Sequence, residues 1–209
     1  MTHFDLSTLP HPSPQRIAVH VRPAAERALR QGHPWLFEES IQRQNREGQA
    51  GDLAVIFDSR NRFLAIGLYD PHSVIRVKCL QHNTQAVINA EWFADRLQAA
   101  ADLRRPLSES AHTTGYRLIH GENDGFPGLV IDRYGETLVM KLYSAAWIPH
   151  LHAILPALTA IQPAERIVLR LSRLLQNEPD DLHGLHDGQL LHGDDDQALA
   201  HFMENGLHF

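Results

Sequence analysis

The chain has 209 residues, 43% of them hydrophobic, which suffices for one large domain or two small ones with a real core and excludes global disorder. Its single cysteine, Cys79, excludes an internal disulfide framework and fits a reducing compartment. The net charge of −6 argues against a uniformly basic polyanion binder, yet residues 1–90 hold ten Lys/Arg against eight Asp/Glu and residues 91–209 nine against seventeen, so the early half is the better place to look for phosphate contacts.

No basic stretch leads into an apolar segment near the N-terminus, and no apolar run approaches the roughly 20 residues that cross a bilayer, so a cytoplasmic protein without a membrane partner is expected. Residues 1–15 carry Pro10, Pro12 and Pro14 and read as a flexible tail. Arg16–Val21 alternates and predicts a strand. Pro23 suits a first helical position, where its missing N–H has no partner to lose, and Gly32 suits the left-handed position that ends a helix; the spacing predicts a short helix between them. Glu26 and Arg30 lie four apart and are expected to pair on its surface. Pro34 keeps the chain extended afterwards. Three strands follow, Asp52–Phe57, Arg62–Tyr69 and Val74–Leu80, the first two joined by the polar turn Asp58–Asn61. Residues 16–82 thus predict a small β-rich domain with one early helix.

Residues 83–115 read as a linker that contains a helix from Glu91 to Arg105, with Trp92, Phe93, Leu97, Ala100, Ala101 and Arg104 near a 3.6 period and Pro106 as its stop. A second domain is predicted over 116–209. Its strands are Tyr116–His120, Gly128–Arg133 and Leu138–Tyr143, then a helix over Ala146–Ile161 and a strand at Arg166–Leu171, an order condensed to strand–strand–helix–strand. The fold class is α+β. The acidic, His/Gly-rich run Gln176–Gln197 predicts loops with one weak strand. Asn205-Gly206 is a strong hairpin signal, because a type I′ turn needs φ > 0 at both central positions. Its returning arm has three residues, which is poor support for an isolated hairpin, and the polypeptide is expected to continue past Phe209.

Gly32-His33-Pro34-Trp35 after a short helix, together with Phe63–Tyr69, resembles the N-terminal PUA domain of bacterial large-subunit rRNA methyltransferases of the cytosine-C5 type. Tyr116–Gly135 resembles the central domain of the same family, and Glu204-Asn205-Gly206 the start of the segment leading into its S-adenosylmethionine (SAM) domain. The run Ser172–Glu178 departs from the Arg-rich pattern of that family. The resemblance implies a small PUA-like β-barrel with a short helix over 16–82, followed by an α/β central domain. It implies ribosomal RNA as partner and SAM as the cofactor of the full-length family, with no cofactor held in this chain. The nucleophilic cysteine and the SAM site are implied to lie in a C-terminal domain absent here, so the 209 residues alone are expected to be inactive.

A SAM site of the common kind needs a strand, a Gly-rich turn and a helix, with an acidic residue after the next strand. The nearest candidate, Gly121–Gly128, lies between two predicted strands and carries Glu122 and Asp124, so it reads as a hairpin loop. Cys79 has no activating base beside it and reads as a small buried hydrophobe rather than a catalytic thiolate. The expected RNA-contacting set is Arg22, Arg27, Arg30, His33, Trp35, Arg60, Arg62, Arg76 and Lys78, since guanidinium forks suit phosphates and base edges. Trp35 either stacks on a base or closes a small core. His183, His186, Asp187, His192, Asp194, Asp195 and Asp196 include metal-ligand types, but their spacing matches no closed site and no metal is expected. Asp132-Arg133 reads as a local ion pair. Two readings remain open beside the RNA-recognition portion of an rRNA methyltransferase: a stand-alone PUA-type RNA-binding protein, and a metal-binding protein using the histidines. The oligomeric state stays open, a homodimer included.

Overall fold

The apolar runs of the first eighty residues form β1 (Ile17–Val21), α1 (Pro23–Arg30), β2 (Trp35–Phe37), β3 (Ile41–Gln44), β4 (Leu53–Phe57), β5 (Phe63–Tyr69) and β6 (Ile75–His82) in the computed structural model, which describes residues 4–177, 179–194 and 199–209. The six strands make one sheet in the order β2-β6-β5-β4-β1-β3, with β1 and β4 parallel and the other neighbours antiparallel. Helix α1 follows its local chemistry: Pro23 stands in its first turn and Gly32 takes φ +87 just past its end. The expected Glu26–Arg30 pair does not form. Tertiary partners win instead: Glu26 accepts from the Ser59 N–H at 2.9 Å, and Arg30 is ion-paired with Asp58. Strands β2 and β3 have no counterpart in the sequence reading, because they are edge strands of three and four residues and Pro34 interrupts the alternation before the first.

Ile17, Val19, Val21, Leu36, Ile56, Leu64 and the α1 residue Leu29 form the core of this unit. Leu53, Ile66, Leu68 and Leu80, from the same strands, belong to a second and larger core. Strand β5 is therefore covered on both faces, which is why Leu64–Tyr69 reads as an uninterrupted apolar run rather than an alternating one.

The second half contains α2 (Ala90–Leu103), α3 (Arg105–Ser108), β7 (Gly115–His120), β8 (Leu129–Tyr134), β9 (Thr137–Leu142), α4 (Leu151–Ile161), β10 (Arg166–Leu171), α5 (Arg173–Gln176), β11 (Leu190–His192), β12 (Met203–Glu204) and β13 (Leu207–His208). Its main sheet runs β11-β10-β9-β8-β7, with β9 and β10 parallel around the α4 connection. Three strands precede α4, not the two of the condensed order. Helix α2 is more than linker. Asn89 caps it by accepting the Trp92 N–H at 2.9 Å, and Phe93, Leu97, Ala100 and Ala101 are buried in the same core as Leu151, Ile154 and Leu158 of α4. Pro106 falls in the first turn of α3, where a missing N–H costs nothing.

The expectation of a loose N-terminal tail is corrected. Residues 4–15 are not loose against the body: Leu9 is buried, its carbonyl lies 3.2 Å from His152 Nε2, and the His11 and His152 rings stack at 3.9 Å. The short β12–β13 hairpin, with Asn205 at φ 52 and Gly206 at φ 83, is held from outside. The Thr114 N–H donates to the Met203 carbonyl at 2.8 Å, the Gly206 N–H to the His112 carbonyl at 2.8 Å, and Phe202 stacks on Phe209 at 5.2 Å.

The halves meet through buried polar groups. Lys78 Nζ lies 2.9 Å from Asp70 Oδ2, which also accepts from the Ser144 hydroxyl at 2.6 Å. The Gly51 carbonyl is 2.8 Å from His150 Nε2, and Gly51 takes φ +91 where a Cβ would stand 2.7 Å from Pro149 Cγ, so only glycine fits. Burial pushes His150 below the ordinary imidazole value. Trp147, fully buried between Phe93 and Phe126, donates its indole N–H to the Pro127 carbonyl at 2.9 Å.

Candidate nucleic-acid interface

The β4–β5 turn gathers the basic side chains nearest α1. Asp58 is fully buried and accepts from the Arg60 N–H (2.8 Å), the Arg62 N–H (2.8 Å), the Arg62 guanidinium (2.7 Å) and Arg30. Burial alone would raise its carboxyl; the Arg62 and Arg60 donors outweigh that and hold it at about 2. Arg30 and Arg62 are thereby fixed around one carboxylate, Arg60 is held there through its backbone N–H with its side chain exposed, and Arg22, just before α1, and Arg27, on it, are exposed and carry no ion pair among the described residues. This edge keeps a basic excess although Asp58 and Glu26 offset part of it.

His33, just before β2, and Trp35, its first residue, continue the edge. The Trp35 N–H donates to His33 Nδ1 at 3.3 Å, and their rings meet edge-on at 5.9 Å. Phe37 follows two residues later, edge-on to Trp35 at 6.4 Å and exposed. The three rings alternate along the strand and share a face, a pattern suited to stacking on unpaired bases. Trp35 does not close the small core, as one of its two expected roles would require; its indole N–H reaches the second half and donates to Glu122 Oε1 at 3.0 Å. The end of β6 joins this edge: His82 Nε2 is 2.9 Å from the His33 carbonyl, and Asn83 donates to the Arg30 carbonyl at 3.1 Å.

Arg76 and Lys78 do not belong to the exposed set. Both are buried. Arg76 pairs with Glu38 at 2.6 Å and lies over the Tyr69 ring, and Lys78 is committed to Asp70. The basic–apolar alternation is present, but Arg76 is covered by Glu38, Tyr69 and Pro71 of its own half and Lys78 by Asp70 with Ser144 of the second half behind it. Phe37, Gln81, His82, Arg96, Glu122 and Asn123 are absent from the sequence-based set. The i, i+2 spacing of His33, Trp35 and Phe37 was the available signal for the first of these; the others are brought together only by the fold.

The remaining constellations resolve structurally. Cys79 is buried and its thiol is pushed up to about 12 by desolvation, which fits a packed side chain and not a nucleophile. Asp132 pairs across strands with Arg117 at 2.8 Å and Arg133 with Glu136 at 3.3 Å, so the adjacent Asp132 and Arg133 do not pair with each other. Asp187 anchors its loop by accepting from Arg170 at 2.9 Å and from the Leu171 N–H at 2.7 Å. Among the described residues no three His, Cys, Asp or Glu side chains converge as a metal site; Asp195 and Asp196 lie outside those residues. The Gly121–Gly128 turn does not fit SAM. It joins antiparallel β7 and β8 with no helix after it, and its acidic side chains are turned to Trp35 and to Arg104, which grips Asp124 through two bonds of 2.8 and 2.7 Å. Among the described residues no helix is long and apolar enough to cross a membrane.

Comparison with known proteins matches residues 19–82 to a family model described as a PUA-like domain. Over 204 residues the chain is 48% identical to a ribosomal RNA large subunit methyltransferase of Deinococcus radiodurans, covering 96% of this chain and 50% of that protein. Over 147 residues it is 37% identical to a ribosomal RNA large subunit methyltransferase I of Photobacterium profundum, covering 70% of this chain and 37% of that protein. A solved structure described as a SAM-dependent methyltransferase, from Streptococcus mutans, matches with a TM-score of 0.76 at 19% identity over 92% of this chain and 47% of that one, a likeness of fold. The chain spans half or less of the length of these relatives, and its six-stranded unit is a PUA-like domain within a mixed α/β architecture.

Proposed function

We propose that this chain is the RNA-recognition portion of a SAM-dependent rRNA methyltransferase, binding and positioning rRNA for methyl transfer by a further domain that carries the SAM site and the cysteine nucleophile. The observation that carries this reading is the edge where α1, the β4–β5 turn and β2 bring exposed arginines beside the exposed His33 and Phe37 rings and the half-buried Trp35. Guanidinium groups supply phosphate contacts and the rings supply base stacking, the pairing that RNA-binding surfaces use. Similarity to methyltransferases named for large-subunit rRNA supports the choice of RNA and of reaction class. The poor fit of the Gly121–Gly128 turn to SAM and the burial of Cys79 support that division of labour. The base modified is proposed as the C5 of a cytosine on the family resemblance alone.

The test is a titration of a labelled rRNA fragment with the chain at several salt concentrations. Binding should weaken with a log–log slope of about −0.7 per phosphate contact on single strands, and Arg27→Ala should flatten that slope by nearly one contact. A slope near zero refutes the phosphate-contact reading.

A further inference from the structure

A cleft of about 370 Å³ opens where the PUA-like domain meets the second half, between the end of β6, helix α2 and the turn that follows β7. Pro34, flanked by His33 and Trp35, stands at its edge, so it adjoins the aromatic edge described above. The volume lies at the small end of the roughly 300–1,000 Å³ usual for ligand pockets, room for one nucleoside and not for a duplex.

Its polar groups are fixed before any ligand arrives. Arg96 donates to Gln81 Oε1 at 2.7 Å and lies over the Trp92 ring at 5.0 Å. Gly125 leaves that guanidinium uncovered: at φ +80 it carries no side chain, and a Cβ would stand 3.5 Å from Arg96 Nη1. Two carboxylates line the same cleft. Asp124 is neutralised by its two bonds to Arg104, whereas Glu122 has no cation within ion-pair distance among the described residues and is steered only by the Trp35 indole. A carboxylate in that state repels phosphate but accepts well from an exocyclic amino group. Leu103, 73% exposed, and Ala99 give the cleft an apolar side for the face of a ring.

We propose that this cleft takes one unpaired, amino-bearing base (adenine, cytosine or guanine) of a single-stranded RNA segment, with Glu122 accepting from the amino group and the His33 and Trp35 rings stacking the neighbouring bases. The proposal rests on the RNA-binding reading above and adds to it a site for a base held out of the helical stack, which a paired strand offers only at the cost of unstacking.

The experiment is fluorescence anisotropy of labelled single-stranded decamers of A, C or U, and of a duplex of the same length, titrated with the full chain. The unmodified chain should prefer A and C decamers over U by about tenfold, the scale of one good base-edge contact, and should bind the duplex more weakly. Ala99→Trp fills the cleft from an exposed helix position and should erase the preference while leaving the salt slope unchanged. Glu122→Gln can still accept from Trp35 and should also bring A, C and U together, which keeps the test valid if the tryptophan variant folds poorly. Both variants retaining the full preference would overturn the cleft assignment while RNA binding stood. Failure of the unmodified chain to bind any RNA would overturn the underlying reading, and the cleft with it.

Discussion

Replacing Lys78 with methionine tests whether the buried Lys78–Asp70–Ser144 contact holds the two halves in register. Both charged side chains are nearly sealed, 6% and 8% exposed, so the substitution strands the Asp70 carboxylate. In the unmodified protein burial works against that charge, but the Lys78 ammonium, then the Ser144 hydroxyl, outweigh it and hold the carboxyl below its ordinary value; burial in turn pulls the Lys78 amine down against the attraction of Asp70. The pair is therefore a small net contributor whose breakage is costly, and removing one partner of such a pair costs about 3–5 kcal/mol. The Ser144 hydroxyl at 2.6 Å and the His72 N–H at 3.3 Å remain on Asp70, which favours the lower end. A loss of about 3 kcal/mol in a chain of this size lowers Tm by roughly 6–12 °C. The sign with pH is diagnostic. In the unmodified protein Asp70 contributes stability above about pH 4 that is lost as pH falls through its depressed folded value. In the variant the stranded carboxyl titrates above its unfolded value, so stability rises on acidification and the gap between the two proteins narrows. Urea unfolding followed by tryptophan fluorescence between pH 7 and 4 reads both effects. Adding Asp70→Asn should recover most of the loss, because the amide oxygen still accepts from Ser144 and His72. A cost for Lys78→Met below about 1 kcal/mol, or no recovery in the double variant, refutes the reasoning.

Three further outcomes are expected. Gly51→Ala forces a side chain onto Pro149 at a positive φ and should destabilise by more than about 1 kcal/mol, read as a lower Tm. Asp58, held at about 2, contributes stability present above about pH 4 and lost on acidification towards pH 2; Asp58→Asn should flatten the acid limb of the stability curve over that interval. Cys79 should resist a thiol reagent at pH 8 in the folded protein and react on addition of denaturant, and fast labelling without denaturant would contradict its burial.

What the sequence disclosed was the chemistry that acts locally. Pro23 and Gly32 bracket α1 because one lacks an N–H and the other tolerates left-handed backbone, and neither property depends on distant residues. Asn205-Gly206 is a hairpin for the same reason. What escaped was set by contacts distant in sequence. Glu26 and Arg30 have helical spacing for a pair, yet the Asp58–Asn61 turn offers each a better partner. Arg76 and Lys78 look like a basic strand face, and only contacts made by the fold, Glu38 and Tyr69 on Arg76 and Asp70 with Ser144 on Lys78, make that face interior. The arginine edge was legible as composition, whereas the base-sized cleft joins residues from β6, α2 and the turn after β7 that no spacing rule connects.

Strand β5 serves two cores at once, and this bears on how the molecule can be cut. A fragment ending after β6 would keep every strand of the PUA-like sheet and the interior packed around Leu29. It would also uncover Leu53, Ile66, Leu68 and Leu80 as one greasy surface, and would strip the Lys78–Asp70 pair of its Ser144 partner and its cover. Exposed apolar area of that kind drives self-association. The boundary that is cleanest in the sequence, near residue 82, is therefore a poor place to divide the polypeptide for study, and the two halves are better handled as a single piece.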